Sequence, residues 1–256
     1  MKGTEVSQTP EPPFLEAVPI FEGLAPEQLA LVRERLHERP VPAGTEIITQ
    51  GESGDALFVV AEGSVKVHRR RPDGGEVILA VLGPGEVLGE MSLGESRVHS
   101  SSVATLQDSR VLWLDGETFR WMLAEMPSVR SGLVELLCKR LRLADTRLET
   151  LAALDVEGRV ARLLLALAEE YGEPKTRGGI LIPIPLTQSD IAAMTGASRV
   201  RVNQVLSRFK AHGWVTLDGQ RRTSVRDAAA LEALLLSPEG VQAPTVHSFT
   251  RGRSNP

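Results

Sequence analysis

The sequence predicts an α+β protein: an N-terminal β-sandwich or barrel, then a long helix, then a C-terminal winged helix-turn-helix. Three observations predict it. Between Val41 and Leu114, glycines recur at 44, 51, 54, 63, 74, 75, 83, 85 and 89 and separate short β-branched runs, the turn spacing of an all-β domain. From Val134 to Leu151 the apolar positions Val134, Leu137, Leu141, Ala144, Leu148 and Leu151 step by 3, 4, 3, 4 and 3, an a/d seam. The stretch LTQSDIAAMTGASRVRVNQVLSRFKAHGW, Leu186–Trp214, reads as helix, tight glycine turn, helix.

The elements follow in order. Residues 1–13 are polar and proline-rich, an expected disordered arm. Ile20–Arg39 reads as a short helical pair, and the β domain is expected over residues 14–127. Its strands are EIIT, ALFVV, SVKVH, EVILAVL, SVATL and RVLWL, several alternating in polarity. Glu117–Met126 is a brief helix stopped by Pro127. The long helix is expected over 128–154, with Lys139, Arg140, Arg142 and Glu149 outside its seam. A seam of this kind predicts a two-fold coiled-coil dimer; the alternative is a helix packed only on its own β domain. Asp155 caps a fresh helix, VEGRVARLLLALAEEYG, which opens a third unit over 155–236. An extended run ILIPIPL leads into the helix-turn-helix. Beyond it, WVTLDGQRRTSVRD reads as strand, Asp-Gly turn, strand, a wing with Arg221 and Arg222 near its tip. AAALEALLL is a last helix and 237–256 a tail.

Within the helix pair, Thr187 and Asp190 make a capping box, and Ser198 caps the second helix. Ala192 is small where the helices must cross, Gly196 makes the turn, and Val202 plugs the crossing. Val202, Val205, Leu206 and Phe209 form the inward stripe. Arg199, Val200, Arg201, Asn203, Gln204 and Arg208 are left facing outward. Arginine suits guanine, and asparagine or glutamine suits adenine. An ordinary αα-hairpin would not need that face, so Ser198–His212 is expected to be a recognition helix. Thr187, Ser189 and Ser198 at the helix starts are expected to join the DNA contact, as are Arg221 and Arg222 on the wing, where Arg221 would hold a phosphate.

Hydrophobic content of 42% and charge of 24% are ordinary for a globular chain. The net charge is −4, but Leu186–Asp227 holds seven Lys/Arg against three Asp/Glu, a local +4 on a body of −8. A basic module on an acidic body is what DNA docking needs. Cys138 stands alone, which excludes an internal disulfide and a cysteine-ligated iron–sulfur cluster within one chain; it is expected to be a small packing residue. The start MKGTEVSQTPEPP is no signal peptide and RVARLLLALA is too short to span a bilayer, so a cytoplasmic protein is expected. There is no P-loop, no H-E-x-x-H and no G-x-S-x-G, and His37, His68, His99, His212 and His247 lack metal-ligand spacing. GPGEVLG lacks the G-x-G-x-x-G spacing and sits among strands, so no dinucleotide site is read there.

The order of these parts, with FEGLAPEQL, PAGTEIITQGESGDALFVVAEGSVKV, GPGEVLGEMSL, LDVEGRVARLLL and LTQSDIAAMTGASRV, resembles the cyclic-AMP receptor/FNR (CRP/FNR) family of bacterial transcription regulators over roughly Phe21–Arg226. The resemblance implies a jelly-roll β domain of the cyclic-nucleotide-binding kind, a homodimer and a palindromic DNA operator, with RNA polymerase as a further partner. It also implies that GEMSLGESRVHSSSV is a phosphate-binding cassette. In it Gly89 would offer its N–H, Glu90 would take a ribose hydroxyl beside Met91, and Ser100 and Ser101 would bind the cyclic phosphate. Backbone N–H groups and hydroxyls in a tight turn make an anion nest. Two features of the pocket depart from the family. His99 stands where the phosphate-pairing arginine falls, with Arg97 two residues away, and Ala144 and Asp145 stand where the adenine-reading Thr-Ser pair falls. An imidazole is a titratable replacement for a forked cation. Val200 and Gln204 depart from the family's recognition helix as well, so the operator is expected to differ there.

Two readings of the cassette stay open, a turn that binds cyclic AMP through an altered cation and a turn that no longer binds a nucleotide. The first gives a cyclic-AMP-dependent global regulator; the second, the favoured expectation, a regulator that binds DNA unliganded and cyclic AMP weakly or not at all. A stand-alone nucleotide sensor is disfavoured by the wing arginines, and a cupin-type enzyme by the missing His/Glu metal cluster.

Overall fold

The computed structural model describes residues 12–93, 98–176 and 178–236. The expected arm up to residue 11, Arg97 and the expected tail lie outside the described residues. The chain enters through α1 (Pro12–Glu16), a 3-10 turn (Pro19–Phe21) and α2 (Pro26–Arg35). Pro26 sits at the first position of α2, where its missing N–H leaves nothing unsatisfied. Two expectations are corrected. α1 begins at Pro12, inside the stretch read as a disordered arm, and Leu15 seats it on the core. Residues 37–39 are not helical: His37–Val41 forms strand β1, paired with the strand Ser109–Asp115. HERPV has no helical stripe, and pairing to a neighbouring strand decides its conformation.

The remaining strands are β2 (Glu46–Ile48), β3 (Ala56–Glu62), β4 (Val65–Arg70), β5 (Glu76–Leu82), β6 (Val87–Leu88), β7 (Ser102–Thr105) and β8 (Ser109–Asp115). They make two antiparallel four-stranded sheets, ordered β1-β8-β3-β6 and β2-β7-β4-β5. Alternation sorts their side chains. Leu57, Val59, Leu112 and Leu114 face the helices and bury Ile20, Phe21, Phe119 and Met122. Val60, Val65, Leu88 and Val103 turn inward between the sheets with Ile48.

Asp115 caps α3 (Gly116–Glu125) by accepting from the Thr118 N–H at 2.8 Å. Pro127 does more than stop α3. It is the first residue of α4 (Pro127–Ala153), 27 residues and about 40 Å long. One side of α4 buries Val129, Gly132 and Leu136 on the β domain. A Cβ on Gly132 would lie 2.7 Å from the Pro19 carbonyl oxygen, so only glycine allows this approach. Val134, Leu137, Leu141, Leu148 and Leu151 are 43–66% exposed, and Ala144 is exposed with them. Cys138 is exposed too, which corrects the expectation of a packing residue.

Asp155 caps α5 (Val156–Tyr171) through the Gly158 N–H at 2.8 Å. There follow β9 (Glu173–Pro174), β10 (Ile180–Ile182), α6 (Gln188–Thr195), α7 (Arg199–Ala211), β11 (Val215–Leu217), β12 (Thr223–Val225) and α8 (Ala228–Ala233). The third sheet is ordered β11-β12-β10-β9. Val160, Leu164, Ile191, Val202, Leu206, Phe209 and Leu231 make its core, and Ile78 and Val81 of β5 belong to the same cluster. The apolar interior of the C-terminal unit is thus continuous with a face of the β domain. No described helix is long and apolar enough to cross a membrane.

Candidate nucleic-acid interface and effector pocket

α6 starts on Thr187. Its N–H and hydroxyl donate to Asp190 Oδ2 at 2.9 and 2.5 Å, and the Asp190 N–H donates back at 3.1 Å. Gly196 ends the helix in the left-handed region at φ 63°, where glycine carries no Cβ penalty. Ser198 then caps α7 by accepting from the Arg201 N–H at 3.2 Å. Val202, Val205, Leu206 and Phe209 are buried, which turns the opposite face of α7 outward. Arg199, Val200, Arg201, Asn203, Gln204 and Arg208 are exposed, as are Ser189 and Ser198, while Thr187 is half-buried.

The exposed side chains are not equally free. Gln188 Nε2 donates to Asn203 Oδ1 at 2.8 Å, and Arg201 Nη1 to Gln204 Oε1 at 3.3 Å. Arg208 is ion-paired with Glu157 of α5. Arg199 has no side-chain partner among the described residues.

The wing departs from the expected Asp-Gly turn. The loop runs Asp218–Arg222, closed by the Asp218 N–H donating to the Arg222 carbonyl at 3.1 Å. Arg221, not Gly219, takes the positive φ, at 63°. The Asp218 side chain accepts from the Gln220 N–H at 2.9 Å, the Arg222 N–H at 3.0 Å and Arg222 Nε at 2.8 Å. Those bonds, the Arg222 backbone first, hold the Asp218 carboxyl below the usual range. Arg222 is therefore spent on shaping the loop, and Arg221 projects beside it, exposed.

In the β domain, Gly89 takes φ +86°, and a Cβ there would lie 2.4 Å from the Ala56 carbonyl oxygen. The next residues, Glu90–Leu93, form a 3-10 turn held by Ser92 Oγ donating to the Gly89 carbonyl at 2.8 Å. Glu90 is ion-paired with Arg140 of α4, whose guanidinium also donates to the Val87 carbonyl. The Glu90 side chain is only 4% exposed, so its charge needs that partner. Arg140 escaped the sequence reading. It lies just outside the apolar seam, and nothing local signals that α4 aims it at a turn fifty residues earlier.

Met91 is 65% exposed and accepts a long contact from Ser100 Oγ at 3.9 Å. Ser100 is exposed and Ser101 half-buried. His99 packs its ring directly on Gly54, where a Cβ would lie 1.7 Å from Nε2. Its N–H donates to the Glu52 carbonyl at 3.0 Å, and its carbonyl accepts from the Gly51 N–H at 2.9 Å. Burial lowers the His99 pKa, with the Glu52 charge opposing. Ala144 and Asp145 lie one turn beyond Arg140 and are exposed. Gly89, Glu90, Met91 and Ser100 thus gather at one turn, with Arg140 added from α4.

A β-roll with a glycine-cornered polar turn, a long helix and a winged helix-turn-helix with an exposed polar face define a ligand-domain-plus-DNA-domain regulator. Residues 38–126 match the cyclic nucleotide-binding domain family and residues 158–234 the Crp-like helix-turn-helix domain family. The chain is 36% identical over 201 residues to the CRP-like cAMP-activated global transcriptional regulator of Mycobacterium tuberculosis, covering 78% of this chain and 89% of the relative. It is also 36% identical over 220 residues to the cyclic AMP receptor protein of Thermus thermophilus, covering 86% and 98%. The fold is similar to the solved FixK2 of Bradyrhizobium japonicum (TM-score 0.68, 22% identity, covering 78% of this chain and 96% of that one). It is likewise similar to the global regulator CLP of Xanthomonas campestris (TM-score 0.67, 24% identity, 79% and 99%). The chain belongs to the CRP/FNR family of transcription regulators.

Proposed function

We propose that this protein works as a homodimer that binds a palindromic DNA operator through α7 and the wing. The exposed face of α7 carries the reading, because its inward stripe is fully buried and the residues left outside are base- and phosphate-binding types. Arg199 would read a guanine, Gln204 an adenine and Val200 a thymine methyl, while Arg221 would hold a phosphate. The open apolar side of α4 supports pairing with a second copy, since five large side chains lie exposed along one seam. Two-fold pairing would set two recognition helices one helical turn of DNA apart. RNA polymerase is the further partner that a regulator of this family would address, and a cytoplasmic location fits that role.

The effector site is the turn at Gly89 and Glu90, with cyclic AMP as the candidate ligand, since the relatives are a cAMP-activated regulator and a cyclic AMP receptor protein. Arg140 supplies a forked cation there, which His99 packed on Gly54 does not. That cation is already engaged by Glu90, and Ala144 and Asp145 offer adenine no hydroxyl. Cyclic AMP binding is therefore weak or absent, and the unliganded protein binds DNA. Fluorescence anisotropy with fragments selected from genomic DNA tests the reading. Saturable binding of one palindromic sequence over competitor supports it; equal affinity for all sequences overturns it.

A further inference from the structure

β4 has two faces with different work. Val65 and Val67 turn into the roll, against Leu88 and Val103, one residue from Gly89. Lys66 turns the other way, toward the C-terminal unit. Its Nζ lies 2.8 Å from Glu76 Oε1 on β5 and 3.5 Å from Asp190 Oδ1 on α6. Asp190 is largely buried and serves two partners: Oδ2 closes the capping box with Thr187, and Oδ1 faces Lys66. Beside this polar contact runs an apolar seam. Ile78 and Val81 of β5 share a cluster with Leu186, Ile191 and Ala192. Tyr171 lays its ring on Gly83, where a Cβ would lie 2.8 Å from Cε1, and its hydroxyl donates to the Val81 carbonyl at 3.3 Å.

An apolar seam tolerates sliding, whereas a largely buried ammonium flanked by two carboxylates has one favourable register. We infer that Lys66 is a positioning residue for the DNA-binding helix pair, clamping the first turn of α6 to the β domain and restraining DNA binding in the unliganded chain. The inference rests on α6 and α7 being the DNA-binding elements. Thr187 and Ser189, the phosphate-facing positions of α6, lie on the very turn that is clamped, and α6 packs on the edge strand β5. A duplex backbone and that strand compete for the same turn. Because the inner face of β4 lines the roll, a shift of the Gly89 turn would reach Lys66 through one strand.

The test compares full-length Lys66→Met and Lys66→Arg with the unaltered protein, all without nucleotide. Lys66→Gln replaces Lys66→Met should the latter melt early. Amide hydrogen exchange over 187–195, measured without DNA, should quicken several-fold in Lys66→Met and stay unaltered in Lys66→Arg. Affinity for the selected operator should tighten by about fivefold or more in Lys66→Met, again with Lys66→Arg unaltered. A purely structural defect would weaken DNA binding, so the gain separates the two. Unchanged exchange, or an affinity that is equal or weaker, overturns the clamp. If neither the unaltered protein nor Lys66→Met binds any operator, the DNA-binding reading has failed, and the exchange arm alone decides the clamp.

Discussion

Arg199 and Arg221 illustrate how two arginines in one domain take different work. Arg199 stands exposed at the start of α7, with no side-chain partner among the described residues, and is proposed to read a base edge. Arg199→Ala should cost roughly 1–3 kcal/mol and relax the preference at one guanine; an anisotropy titration against operators varied at each position measures both. Arg221 sits on a loop at φ 63°, a conformation costly for a residue with a Cβ. Arg221→Ala should weaken all sequences alike and reduce the salt slope by about one. Arg221→Gly should lose the same contact but raise the melting temperature relative to Arg221→Ala, because glycine relieves the strain.

His68 belongs to the same scale. It is 4% exposed, and its Nδ1 lies 3.0 Å from Glu76 Oε1. Burial pushes its pKa below the usual value, with Glu76 and Glu46 opposing and Lys66 and Arg70 reinforcing. A histidine depressed in the folded state takes up its proton more readily when unfolded, so its contribution is complete above about pH 6.5 and is lost as pH falls below it. The melting temperature should therefore drop as pH falls from neutrality into the acid range. His68→Gln should flatten that drop, and an identical profile would remove His68 as its source.

At the scale of elements, α4 buries one side on its own β domain and leaves an apolar seam exposed on another. Gly132 and Leu136 fit it to its own β domain, and the large side chains of the Val134–Leu151 seam stay 43–66% exposed among the described residues. Leu141→Lys would place a charge at the centre of a two-fold seam, at a cost of several kcal/mol unless the side chain reaches water. Sedimentation should show a monomer, and operator affinity should collapse with it. An unchanged dimer would take the seam out of the interface. The wing shows how far local signals reach: the Asp-Gly pair marked a turn, yet the Asp218 hydrogen bonds widened it to five residues and moved the left-handed position to Arg221.

For the whole molecule, the question is how the roll communicates with the DNA-binding unit. Glu90 joins α4 through Arg140, and β4 joins α6 through Lys66, so the Gly89 turn lies between two routes to the C-terminal unit. Calorimetry with cyclic AMP should show weak binding or none, and operator affinity should shift little on its addition. If binding does run through His99, whose pKa burial lowers, affinity should begin to fall as pH rises through the range below about 6.5, since an imidazolium bonds a phosphate more strongly than a neutral imidazole. Tight, pH-independent binding that survives Arg97→Ala would overturn this account of the pocket.

The sequence by itself determined the elements whose signals are local. Helix caps at Thr187, Asp155 and Ser198, the glycine turn at 196, the 3-4 seam of α4 and most β strands are written in residues a few positions apart, so periodicity and capping chemistry expose them. So is the split of α7 into a buried stripe and an outward face, because one helix turn relates the residues involved. The tertiary structure alone decided the rest. HERPV became a strand because β8 lay beside it, Cys138 came to the surface because α4 buries a different side, and His99 settled on Gly54. Arg140 met Glu90 and Lys66 met Asp190 across 50 and 124 positions. Such pairs leave no mark in spacing, since a charge buried between distant segments depends on how sheets and helices stack, and stacking follows from the packing of the whole core.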